Sequence, residues 1–224
     1  MKWAACVLVL AAYEPAAHAI AACYPSSGWA NAGADIPQNG HVVYWAANDD
    51  LKGLKVKATL GGKPITAKVS STMKAGPFSL AVVDVDAKTT GSLSIETERG
   101  DTTGYRVVAK LAAAPKSAKA TISHVAKNIP HSTVKETYDA LAVKVDVPSA
   151  MRAHVKLRRD AKGTWTELDV PLDDSHTFML GQLGCYNNYS PDLLGAGVDI
   201  EVQLTLADGS TLGIENFSHV QMPK

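Results

Sequence analysis

The sequence predicts an all-β protein, two tandem β-sandwich domains behind a cleaved leader. Three observations carry that prediction. Val198 to Leu206 (VDIEVQLTL) alternates apolar and polar residues without a break, which puts every apolar side chain on one face of a strand. Similar runs recur along the chain and are separated by Gly- and Asp-rich turns, such as Ala207-Asp208-Gly209-Ser210. Helical periodicity is almost absent after about residue 40.

The strands follow in order. Gly40–Ala46 is entered from an Asn39-Gly40 turn. Leu54–Leu60 and Ile65–Val69 flank Gly61-Gly62, a two-glycine hairpin signal. Phe78–Val85 is apolar enough for a central strand, and Ser92–Thr97 with Tyr105–Lys110 forms a hairpin whose tip holds Arg99 to Gly104. A small-residue, Pro-containing stretch from Leu111 to Ala118 marks the boundary. Beyond it, strands are expected at Ala120–Val125, Ala140–Val147, Ala153–Arg158, Trp165–Val170, Thr177–Leu180, Val198–Leu206 and Thr211–Phe217. Pro148, Pro171 and Pro191 fall at strand ends or in loops, where a missing donor does no harm. One helical turn is expected at Ser132–Tyr138. The domains are then residues 23–114 and 115–224, each a normal size for a sandwich.

Composition narrows the partners. With 46% apolar and 20% charged residues the chain is a folded protein. Its 22 basic and 22 acidic residues cancel, which removes the main electrostatic reason to expect nucleic acid or an anionic membrane. At the start, Lys2, the apolar run Trp3–Ala12, the breaker Glu14-Pro15 and the small residues of Ala17-His18-Ala19 have the layout of a secretory signal peptide, residues 1–19. The run is too short to span a bilayer. Cys6 leaves with that leader, so Cys23 and Cys185 remain, and an oxidising compartment suggests a disulfide between them. A competing reading is open: Ile20-Ala21-Ala22-Cys23 resembles a bacterial lipobox, which implies a lipid anchor on Cys23 and an outer-membrane lipoprotein. Simple secretion, to the periplasm or outside, fits the interrupting Glu14, Pro15 and His18 better.

Pro25-Ser26-Ser27-Gly28, followed by Ala34-Asp35-Ile36-Pro37-Gln38-Asn39-Gly40 before the strand Val42–Trp45, resembles the opening of bacterial Ig-like domains. The second half is similar, by pattern, to fibronectin type III-like modules of secreted bacterial proteins. The resemblance implies immunoglobulin-like or fibronectin-like sandwiches that act as spacers, adhesive units or ligand-binding domains. It carries no catalytic residues.

Candidate sites compete with structural roles. Arg152, His154, Lys156 and Arg158 line one strand face and suit an acidic glycan or phosphate, but Glu167 and Asp169 on the next strand are placed for ordinary cross-strand pairing. Arg99-Gly100-Asp101 is the tripeptide that integrins read, yet Gly and Asp are also turn chemistry. His41, His124, His131, His154, His176 and His219 show no paired-ligand spacing. Asp84-Val85-Asp86 lacks a third oxygen at Lys88, and nothing beside Asp173-Asp174 completes a calcium loop. No Gly-x-Ser-x-Gly elbow exists. The best ligand contacts are aromatic loops: Trp29 on one, and Tyr186, Asn187, Asn188 and Tyr189 in the Gly181–Gly197 loop. The resulting expectation is a non-enzymatic binding or structural protein, monomeric, without cofactor or metal site, whose partner is an extracellular protein or glycan. A secreted copper-type metal carrier and an envelope hydrolase with a dispersed site are the alternatives.

Overall fold

The computed structural model describes residues 27–47, 49–76, 78–113, 118–130, 135–159, 163–183, 186–187, 193, 195–214 and 216–222, the side chains of 127–130, 135–138, 182–183 and 186–187 excepted. Among them every regular element but a single 3₁₀ residue at Leu193 is a strand.

The first half holds β1 (Ser27–Trp29), β2 (Asp35–Pro37), β3 (His41–Ala47), β4 (Val56–Leu60), β5 (Lys63–Ala75), β6 (Phe78–Asp86), β7 (Gly91–Thr97) and β8 (Thr102–Val108). They hydrogen-bond in the order β1-β3-β6-β5-β4-β7-β8-β2. This path folds into two layers because β5, 13 residues long, serves both. Its first residues pair with β4 (Ile65 opposite Ala58), and from Thr66 onward it pairs with β6. A register shift between Val69 and Ser71 accompanies the crossing, and a bulge of this kind bends a strand and sharpens its twist. One layer is therefore β1-β3-β6-β5 and the other β4-β7-β8, with β2 parallel to β8 at its edge. That is the ABED/CFG division of the immunoglobulin fold. The Gly61-Gly62 hairpin forms as expected: Leu60 faces Lys63, and φ values of 54° and 80° satisfy the I′ turn.

The second half holds β9 (Ala120–Pro130), β10 (Lys135–Val145), β11 (Ala150–Arg158), β12 (Thr166–Pro171), β13 (Thr177–Leu183), β14 (Tyr186–Asn187), β15 (Gly197–Leu206), β16 (Thr211–Gly213) and β17 (Phe217–Gln221). One sheet runs β14-β13-β10-β9; the other runs β12-β11-β15-β16, with β17 also on β15. Leu141, Val143, Phe178 and Leu180 from the first sheet meet Val155, Leu157, Ile200 and Leu204 from the second. Each side chain buried this fully contributes about 1.5–3 kcal/mol. Two expectations are corrected. Lys135–Tyr138 is not a helical turn but the start of β10, paired residue by residue with β9 as far as Pro130. Thr211–Phe217 is not one strand: β16 and β17 contact different stretches of β15.

Two separate apolar clusters result, one for each half. Tyr105 lies in the first, its hydroxyl donating to the carbonyl of Ala30 at 2.7 Å. Burial pushes the Tyr105 phenol far above its ordinary value, and Tyr44 is raised by burial and then by the carboxylate of Asp101. Both folded values exceed the unfolded one, so the stability these phenols supply is complete below about pH 10 and is lost as pH rises through the raised values. Urea midpoints are expected to fall steadily above about pH 10. Tyr105→Phe is expected to flatten that alkaline slope while costing about 1 kcal/mol at neutral pH for the lost hydrogen bond. An unchanged slope would show that Tyr105 does not ionise on unfolding.

Candidate functional site at the junction of the two sandwiches

The two clusters are joined at one tied junction. The turn between β1 and β2 puts Asn31 in the left-handed region (φ 45°), which Asn tolerates better than most residues. Its backbone N–H donates to the carbonyl of Leu172 at 2.8 Å. Its side-chain Nδ2 donates to the carbonyls of Pro148 and Ala150 at 2.7 and 2.8 Å. Asn31 is only 1% exposed, so these bonds satisfy groups that water cannot reach. A second tie lies alongside. The N–H of His41 donates to the carbonyl of Ala207 at 2.6 Å, and the N–H of Ala207 to that of Ser149 at 2.9 Å. Gly40 permits this approach, since a Cβ there would lie 3.0 Å from the Ala207 oxygen and 2.8 Å from that of Pro37. Met151 and Ala207, residues of the second half, belong to the apolar cluster of the first.

Two hollows flank the Asn31 turn. One, of about 360 Å³, is lined by Trp29, Trp45 and Phe78 from the first half and by Pro171, Leu172 and Asp174 from the second. The other, of about 380 Å³, lies between Asp35 and Arg106 on one side and Pro148 and His176 on the other. The Arg106 guanidinium clamps Asp35 through two bonds of 2.6 Å and holds its carboxyl below the usual range. Trp45 faces the first hollow because β3 alternates: its neighbour Tyr44 points inward, toward Asp101 of the opposite layer. The chemistry available is aromatic and apolar contact edged by carboxylate, suited to binding.

Trp29 is not on a loop but in β1, where it is 9% exposed and packs edge-on to Tyr44 at 5.1 Å. Its indole N–H donates to the carbonyl of Asp101 at 3.0 Å. The Gly181–Gly197 segment is not wholly loop, since Gly181–Leu183 ends β13 and Tyr186–Asn187 forms β14 against it. Asn188 and Tyr189, with Cys23, Cys185 and the leader, lie outside the described residues.

Arg99-Gly100-Asp101 does form a hairpin tip, but both charges are engaged within the chain. Arg99 pairs with Asp49 and also donates to the carbonyl of Asp50 at 3.3 Å. The Asp101 carboxylate accepts from Tyr44 and, at 2.9 Å, from Ser27. On β11 the cross-strand pairing is as expected: Arg152 meets Asp169 at 2.9 Å, His154 lies between Asp169 and Glu167, and Lys156 meets Glu167 at 3.2 Å. Arg158 instead pairs with Asp199 of β15 at 3.2 Å and lies over the Trp165 ring. Arg152 also reaches the sulfur of Met73 across the junction at 3.0 Å.

His41, His124 and His154 lie against separate carboxylates. His41 bonds Asp84 at 2.8 Å and His124 bonds Asp139 at 2.5 Å. Among the described residues no three His, Cys, Asp or Glu side chains form a group that could hold a metal ion. Asp173 is used as a turn cap, accepting from the amides of Ser175 and Thr177. The residues that sequence reasoning missed are Asn31, Met151 and Asp101 in its inward role. Only Asn31 carried a local signal, the Asn-Ala-Gly turn.

No protein-family model matches the chain, and no curated protein matches it. Solved structures match weakly. A tetra-tandem repeat from the extending region of a large adhesion protein aligns at 12% identity and a TM-score of 0.30, covering 84% of this chain and 49% of that one. Pullulanase type I from Bacillus subtilis aligns at 11% and 0.29, covering 87% of this chain and 27% of that one. The N-terminal Ig1-2 module of the Drosophila receptor protein tyrosine phosphatase DLAR aligns at 10% and 0.26, covering 86% and 96%. The chain thus spans about half or less of the first two proteins, and at these scores the likeness carries no functional argument.

Proposed function

We propose that this chain is a non-enzymatic binding and structural protein of the cell envelope or extracellular space, a short strut of two immunoglobulin-like sandwiches. The observation that supports this reading is the tie at Asn31, with its donors aimed at three carbonyls of the second half. A strut that transmits position needs a junction that resists bending, and buried hydrogen bonds of this kind are costly to break. The partner in this reading is an extracellular protein or glycan, met through the aromatic hollow beside the junction or through the loops at the sandwich ends. Residues 1–19 act as a secretory leader, and Cys23 pairs with Cys185.

Two measurements on the exported protein test the reading. Intact mass is expected to show cleavage after Ala19 and the loss of two hydrogens for a disulfide; a diacylglyceryl mass on Cys23 would replace secretion with lipid anchoring. A broad hydrolase and oxidoreductase screen is expected to give no turnover above buffer, and a robust signal would overturn the non-enzymatic reading.

A further inference from the structure

We propose that the outer edge of β9 is a pairing surface for a second copy of this chain, joining two molecules through one continuous sheet. The pairing of β10 fixes which backbone groups of β9 are used. The N–H of Val145 donates to His176, toward β13, whereas the N–H of Asp146 donates to Lys119, toward β9. Successive residues of a strand address opposite neighbours, so Lys144 and Ala142 bond to Thr121 and Ser123 on β9. The N–H and C=O groups of Ala120, Ile122, His124 and Ala126 then point away from β10. β9 is the last strand of its sheet, and among the described residues no backbone bond reaches these groups.

The other sheet edges are blunted. β5, the outer strand of its layer beyond Ile65, is bent by the register shift between Val69 and Ser71 and carries Lys68 and Lys74. β1 and β2 have three residues each, and β2 ends in Pro37. β14 has two residues, and the edge beyond β15 is split between β16 and β17. β12 is short, ends in Pro171 and carries Glu167 and Asp169. β9 has none of these protections over Ala120–Ala126: no proline, no bulge and no Lys, Arg, Asp or Glu. An edge of that kind is a template for another strand.

A second copy suits it. The chain carries 22 basic and 22 acidic residues, so no net charge keeps copies apart. An antiparallel pairing about a two-fold axis at Ser123 is self-complementary, as an isologous interface must be. It sets Ile122 against the partner copy's His124, Ala120 against its Ala126 and Ser123 against its own counterpart. The outward donors and acceptors are then all used, and no like charges meet within the paired run. This surface is remote in role from the junction and does not depend on the chain's proposed function.

Sedimentation and light scattering on the mature chain at about 100 μM are expected to show a concentration-dependent dimer. Ala126→Pro removes one outward donor while leaving the β9–β10 bonds in place, and is expected to shift the dimer at least about tenfold toward monomer with an unchanged far-UV spectrum. Ser123→Cys, at an exposed position, is expected to cross-link the copies through position 123 under mild oxidation, identified by peptide mass, whereas Thr121→Cys is not. A wild-type chain that stays monomeric at that concentration would overturn the proposal. So would a dimer that Ala126→Pro leaves intact, or cross-linking that does not distinguish positions 121 and 123.

Discussion

Gly181→Ala is expected to destabilise the second sandwich by about 3 kcal/mol or more, from backbone strain together with overpacking. Gly181 lies on β13 opposite Ala140 of β10, with φ at 144°, a region that residues with a side chain rarely occupy. A Cβ added there would sit 2.5 Å from the carbonyl oxygen of Asp139 and 2.6 Å from the Cα of Ala140. These are backbone atoms of a paired strand, so no side chain can swing aside. Relief requires β10 and β13 to separate, which breaks the sheet that carries Leu141, Val143, Phe178 and Leu180. Gly213→Ala is the matched control. Its Cβ would meet nothing within 4 Å, and a change within about 0.5 kcal/mol is expected. Urea unfolding followed by far-UV circular dichroism and by tryptophan fluorescence measures both. Equal, small losses for the two variants would show that the close approach of β10 and β13 is not needed.

Asn31→Ala is expected to cost about 3 kcal/mol and, more tellingly, to uncouple the two halves. The substitution removes the donor shared by the carbonyls of Pro148 and Ala150 at the junction. It also places Ala at a φ of 45°, where Asn is better tolerated. Asn31→Gly separates the two effects, since it accepts the backbone conformation but lacks the side-chain donor. Calorimetry of the natural chain is expected to give one transition. Both variants are expected to give two, with the deeper destabilisation in Asn31→Ala. A single transition at an unchanged midpoint in Asn31→Gly would mean that the side-chain tie does not couple the sandwiches.

Most strands could be read in advance because their signals are local. Gly61-Gly62 permits a two-residue hairpin whatever surrounds it, and Val198–Leu206 alternates without help from other residues. The charges of β11 were legible for a related reason. Once a hairpin from β11 to β12 is assumed, Lys156 must face Glu167 and His154 must face Asp169. Where long elements depart from expectation, the cause lies elsewhere in the chain. β5 runs on to Ala75 because β6 supplies a partner for its second portion, although Ser70, Ser71 and Thr72 offer no apolar alternation. β10 begins at Lys135 because β9 extends to Pro130 beside it, and no local pattern marks that extension.

The candidate site was less legible than the strands. Trp29 reads as a loop aromatic, but its environment is made by Tyr44 of β3 and by Asp101, which lies 72 positions further along the chain. Arg99-Gly100-Asp101 reads as a recognition tripeptide until Asp49, Tyr44 and Ser27 are brought against it. A side chain's availability to a ligand depends on what else claims it, and only the fold assembles the claimants.

By itself, the amino-acid order of this protein determined that it would be built from strands, and roughly where each would turn. Alternation and turn chemistry act between residues a few positions apart, so they are present in any stretch read alone. The tertiary structure decided which strand neighbours which, where β5 changes layer, and how the halves are tied. Those outcomes rest on partners such as Asn31 and Ala150, 119 positions apart. Their bonds acquire full strength only after packing has removed the water that would otherwise satisfy both groups.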